Sequence, residues 1–152
     1  MRELIIALDD IRSHHNVGSI FRSADAFGVK EIILGGISPC PPHRDIQKTA
    51  LGATESVPWR QELDLLSELQ ALKSKGIKLI AVEQTEHSIP LTEFNPLDES
   101  YCVVLGNEVN GVSSAILDIC DKCIEIKQVG IKKSLNVSVC AGIVIFHLKN
   151  GL

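Results

Sequence analysis

The chain has 152 residues, 45% of them hydrophobic and 22% charged, which excludes a disordered polypeptide and predicts one core in a single domain over residues 1–152. Its formal net charge of −4 excludes a uniformly basic nucleic-acid binder, but phosphates respond to local potential, and Arg12, Arg22, Arg44, Lys48, Lys132 and Lys133 could supply a basic patch. The five cysteines are odd in number and scattered, which points to a reducing cytoplasm rather than a disulfide framework. Leu4–Leu8 reads as a buried strand, followed by a polar turn from Asp9 to His15. Val17, Ile20, Phe21, Ala24 and Phe27 recur at helical spacing; Asn16 stands at the N-cap position and Gly28 at the stop. Glu31–Leu34 is a second short strand, and 38–43, with three prolines, is a loop. Arg44–Leu51 suits a short helix and 56–59 an extended segment. Leu63, Leu65, Leu66, Leu69 and Leu72 form an amphipathic helix ending before Gly76. Ile77–Val82 and Tyr101–Leu105 are the clearest strands. Ser113–Ile119 reads as a serine-capped helix, Cys123–Ile126 as a strand and Leu135–Lys149 as a closing helix. Short apolar strands alternating with helices predict an α/β fold with a mostly parallel sheet and helices on both faces. No segment has the charged-then-apolar pattern of a secretory signal, and Ala141–Phe146 is too short to span a bilayer.

Ligands of open parallel sheets bind at the carboxyl ends of strands, so the polar loops there are the candidates. The first holds Asn16 and Arg22, six residues apart. A guanidinium near a helix N-terminus can bind phosphate, although an ordinary cap and a solvated arginine also account for the pair. The second is Gly106-Asn-Glu108-Val-Asn-Gly111, directly after a strand. Its glycines permit a tight path and close approach of a ligand to backbone. It lacks P-loop and dinucleotide spacing. The third opens the last helix with Ser134, Asn136 and Ser138, and capping explains one of these polar groups rather than three.

Asn16-x-Gly-x-x-x-Arg22, Gly106-Asn-Glu108-x-x-Gly111 and Ser134-Leu-Asn-Val-Ser138 together resemble the three ordered motifs of the SpoU/TrmH family of the SPOUT class, and Gln47–Trp59 is also similar to it. The resemblance covers nearly the whole chain. It implies a C-terminal deep trefoil knot, which general topology rules alone would not predict. It further implies a homodimer with sites at the subunit interface. S-adenosyl-L-methionine would be held by the loops at Val82, Gly106, Ile126 and Leu135. The activity implied is methylation of a ribose 2′-hydroxyl of RNA, with transfer RNA preferred to ribosomal RNA because minimal members resemble the transfer-RNA enzymes. No metal and no membrane are expected.

Carried over, Arg22 is the principal catalytic residue, binding a phosphate and stabilising charge on the 2′-oxygen. A guanidinium stays protonated, so phosphate or water is left to take the proton. Asn16, Ser134 and Asn136 would orient Arg22 and the ribose, and Glu108 would brace the second loop. Where the family commonly has Ile-Pro-Met, this chain has Ile126-Lys127-Gln128, which frees a backbone angle and restores an N–H. His15 likewise stands where a proline is frequent. Two competing functions are a non-catalytic knotted RNA-binding or assembly protein and a nucleotide-binding enzyme of doubly wound type. Cys120-x-x-Cys123 lacks a second ligand pair for zinc. His14, His15, Lys132 and Lys133 fit either RNA contact or solvated loops, and Val139, Ile143 and Phe146 fit either core or dimer contact.

Overall fold

The computed structural model describes residues 3–151. Its strands are β1 (Leu4–Asp9), β2 (Glu31–Gly35), β3 (Trp59–Glu62), β4 (Lys78–Val82), β5 (Ile89–Pro90), β6 (Tyr101–Gly106) and β7 (Lys122–Glu125). Its α-helices are α1 (His14–Ala26), α2 (Arg44–Ala50), α3 (Ala53–Ser56), α4 (Leu65–Ser74), α5 (Ser114–Ile119) and α6 (Val137–Asn150). The strands form one sheet in the order β3-β2-β1-β6-β4-β7-β5, and every neighbouring pair is parallel.

A parallel sheet must be covered on both faces, and the period-two alternation of β1 shows how this one is. Leu4, Ile6 and Leu8 pack with Val17, Ile20, Phe21, Ile46, Val144 and Leu148, so α1, α2 and α6 cover one face. Ile5 and Ala7 pack with Leu65, Leu69, Leu72 and Ile116, so α4 and α5 cover the other. β1 and β6 lie side by side at the centre and are buried on both faces, which is why they read as unbroken apolar runs.

Several expected boundaries shift, each for a local reason. Ser13, not Asn16, caps α1: its Oγ accepts from the Asn16 backbone N–H at 3.2 Å, so the helix starts three residues earlier than its apolar pattern suggests. The last helix starts at Val137 instead of Leu135, because the Asn136 side chain caps it. Ser113 holds the N-cap position of α5 without a side-chain capping bond; its backbone N–H instead donates to Asp9 Oδ2 at 2.8 Å. Ser56 ends α3 and is not extended. The motif-one glycine, Gly18, is a packing residue, since a Cβ there would lie 2.3 Å from the Ile46 carbonyl oxygen of α2. No helix of the described residues is long and apolar enough to cross a membrane.

Candidate active site

Because all the strands run the same way, their carboxyl ends share one edge, and the loops leaving β1, β4, β6 and β7 gather there. They enclose a cleft of about 500 Å³, within the range of small-molecule sites. Asn16, Glu108, Ser134 and Asn136 line it, and so do Val82, Gly106, Ile126 and Leu135. Arg22 does not. It lines a neighbouring shallow groove with Lys48, Thr49, Ser138 and Ile143. Six residues along a helix advance about 9 Å and about 1.7 turns, which leaves Arg22 about 120° around the axis from Asn16 and off the surface that Asn16 occupies. The two depressions meet at the start of α6, where Asn136 and Val137 face the cleft and Ser138 and Val139 face the groove.

A polar relay joins the three motif segments. The Glu108 carboxylate accepts from the backbone N–H groups of Arg12 at 3.0 Å and Ser13 at 3.1 Å, and from Asn16 Nδ2 at 3.2 Å. An anion is therefore fixed at the N-terminus of α1, where unpaired amides and the helix dipole favour it. Partial burial raises the Glu108 carboxyl, but these donors outweigh it and hold the group below its ordinary value. Asn16 Oδ1 in turn accepts from Asn136 Nδ2 at 3.1 Å. Asn136 Oδ1 accepts from the Ser138 N–H at 2.9 Å and from Ser138 Oγ at 2.5 Å, which ties the relay to α6. Ser134 is exposed, lines the cleft and makes no hydrogen bond among the described residues.

The turn after β6 is shaped by Asn107 and by the two glycines expected to permit a tight path. Asn107 and Gly111 exchange backbone hydrogen bonds of 3.1 and 2.9 Å. Asn107 Oδ1 accepts from the Val109 and Asn110 amides at 2.9 and 3.0 Å, and its Nδ2 donates to the Asp10 carbonyl at 2.6 Å. A Cβ on Gly106 would fall 2.2 Å from the Gly111 carbonyl carbon, so only glycine lets the turn close. For Asn107 the signal in the sequence is the propensity of asparagine to fold its own backbone into a turn. Glu83, at the end of β4, was not singled out; its Oε2 accepts from the Val112 N–H at 2.9 Å.

Of the remaining candidates, Lys133 also lines the cleft, and Lys48, Val139 and Ile143 line the groove. His14 stacks on His43 with ring centroids 4.0 Å apart, and Arg44 and Lys48 both pair with Asp45. Burial pushes the Cys120 thiol up to about 12, which suits a packed thiol rather than a thiolate ligand. Among the described residues, no group of three or more histidine, cysteine, aspartate or glutamate side chains could hold a metal ion. Val139, Ile143 and Phe146 are 52%, 40% and 45% exposed, so they are not core.

A model described as the SpoU rRNA Methylase family matches residues 3–146. The chain belongs to this family. It is 33% identical over 145 residues to a 23S rRNA (guanosine-2′-O-)-methyltransferase RlmB of Vibrio cholerae, covering 95% of this chain. The chain spans 58% of that relative's length, so the relative contains substantial sequence outside the match. Among solved structures, the A. aeolicus TrmH/SpoU tRNA modifying enzyme superposes with a TM-score of 0.89 at 27% identity, covering 99% of this chain and 76% of that one. The AdoMet-bound rRNA methyltransferase of Sinorhizobium meliloti does so with a TM-score of 0.89 at 26% identity, covering 99% and 57%. The Glu108–Asn16–Asn136 relay brings three separated polar segments of this chain to one cleft edge.

Proposed function

We propose that this chain methylates a ribose 2′-hydroxyl of RNA with S-adenosylmethionine as methyl donor, and that the RNA is ribosomal. The observation that carries the reading is the relay from Glu108 through Asn16 to Asn136 at the edge of a cleft built by the carboxyl ends of four parallel strands. The named RlmB relative, a 23S rRNA enzyme, favours ribosomal RNA over the transfer RNA expected from minimal size. The likeness to a tRNA modifying enzyme keeps transfer RNA as the second reading.

The residues present fit the methyl donor. The cleft has a suitable volume, and Val82, Gly106, Ile126 and Leu135 would hold the donor against backbone and aliphatic surface. None of the backbone amides of 127–135 donates to a described carbonyl, which leaves donors for a polar ligand along the stretch that carries the Lys127-Gln128 departure. When bound, S-adenosylmethionine supplies an electrophilic methyl on a sulfonium.

The chain's own groups then have to bring the acceptor oxygen into line and stabilise its developing charge. Arg22 and Lys48, in the adjoining groove, suit an RNA phosphate on the far side of the α6 start. Ser134, with its hydroxyl unengaged, and Asn136 sit between that groove and the cleft and would orient the ribose. The proton passes to phosphate or water, since a guanidinium does not accept it. The exposed Val139, Ile143 and Phe146 stripe, whose first two residues line one wall of the Arg22 groove, would form the homodimer contact, and the C-terminal segment would thread the trefoil knot. Incubation with labelled donor and separate pools of rRNA and tRNA tests the reading. Label in rRNA is expected; label confined to tRNA would transfer the substrate assignment, and label in neither would remove it.

A further inference from the structure

Among the loops that line the cleft is the turn after β6, and the structure shows what locks it to the sheet. The Glu83 backbone N–H donates to the Ile124 carbonyl at 3.0 Å, so the residue continues the β4–β7 pairing and its Cα is held by the sheet. From that fixed point the side chain reaches across to the end of the turn after β6. Oε2 accepts from the Val112 N–H at 2.9 Å, and Oε1 accepts from the Gln84 N–H at 3.1 Å. Gly111 leaves room for the carboxylate: a Cβ there would lie 2.1 Å from Glu83 Oε2, and its φ of +70° is one that glycine adopts freely. The glycine and the glutamate are complementary parts of one contact. The next residue, Gln84, extends from the same loop to the Lys133 carbonyl at 3.5 Å, the outer limit of a hydrogen bond.

We propose that Glu83 is a positioning residue: its carboxylate clamps the Gly106–Val112 turn to the end of β4 and so sets the shape of the methyl-donor cleft. The role goes beyond a bracing acid inside the turn itself, which is Glu108's part. Glu83 acts from another strand and on the opposite end of the turn. Its ligand consequence rests on the proposed function; the clamp itself does not.

The clamp depends on reach and on an acceptor oxygen, which gives a distinctive mutant order. Glu83→Gln keeps an acceptor at the same reach. Glu83→Asp keeps the charge but draws it back by about one bond length, ~1.5 Å, and loses the Val112 amide. Amide hydrogen exchange in the ligand-free proteins and calorimetric binding of S-adenosylhomocysteine, which needs no turnover, test this. Expected are faster exchange at 109–112 in Glu83→Asp and Glu83→Ala with β1 and β6 amides unchanged. Binding should weaken by about tenfold in both, with Glu83→Gln close to the parent. Should Glu83→Ala fail to fold, the Asp and Gln variants decide alone. Exchange at 109–112 equal to the parent in Glu83→Asp would overturn the proposal, as would uniform loosening of the whole sheet or a Gln variant weaker than the Asp variant. A parent that does not bind S-adenosylhomocysteine would defeat the proposed function instead, while the exchange result would still decide the clamp.

Discussion

Replacing Glu108 with alanine removes three hydrogen bonds to one carboxylate, from the Arg12 and Ser13 amides and Asn16 Nδ2. Each is worth roughly 1.5–3 kcal/mol where charge and burial are both present. Glu108 is exposed, however, and solvent screening brings the total to about 2 kcal/mol. For a chain of this length that is a fall in Tm of about 4–8 °C. The effect has a pH signature. The folded carboxyl titrates below its unfolded value, so its contribution is complete above the unfolded value and is lost as pH falls through the folded one. Denaturant unfolding of parent and Glu108→Ala between neutral and strongly acidic pH checks this. The two stability curves should be separated at neutral pH and converge on acidification. A constant separation down to the acid limit would refute the hydrogen-bonded carboxylate as the cause.

Four further outcomes follow from the same geometry. Arg22→Ala should lower methyl transfer by about 10²-fold or more while leaving S-adenosylhomocysteine affinity unchanged, because Arg22 stands outside the cleft; calorimetry and initial rates separate the two. Asn136→Ala removes the α6 cap and the bond to Asn16, and should cost about 1 kcal/mol in denaturant unfolding. Gly106→Ala places a Cβ 2.2 Å from the backbone of Gly111 and Val112, so cofactor binding should be lost with an overpacking cost of about 1–3 kcal/mol, read by calorimetry and melting. On the proposed homodimer contact, the parent should sediment as a dimer and Ile143→Glu, which puts a charge into the exposed stripe of α6, as a monomer.

The parts of the fold legible in the sequence were those dictated by neighbours along the chain. β1, β4 and β6 are apolar runs because the sheet buries them, and the leucines of α4 repeat at helical period because one face is covered. β5 was not legible: Ile89–Pro90 contributes two residues at the sheet edge, too few for a period. The choice of cap for α1 turned on whether Ser13 or Asn16 supplied the oxygen, and a serine three residues before an asparagine permits either. With Ser13 capping, the Asn16 side chain is free to join Glu108 and Asn136, residues 92 and 120 positions away. Such links depend on strand order, which no local pattern encodes. Glu83 was missed for the same reason, since it reads as a solvated acid after a strand until β6 is placed beside β4. Arg22 was readable as a phosphate ligand but not as lying outside the cleft, because its direction depends on where α6 packs against α1.

The central claim is transfer to a ribose oxygen rather than to a base. Alkaline hydrolysis of RNA methylated with labelled donor tests it most directly, because a 2′-O-methyl group blocks cleavage of the adjacent phosphodiester. Label recovered in alkali-resistant dinucleotides, and absent when Arg22→Ala is used, is the predicted result. Label recovered in single methylated nucleotides, or undiminished by that substitution, would contradict the account.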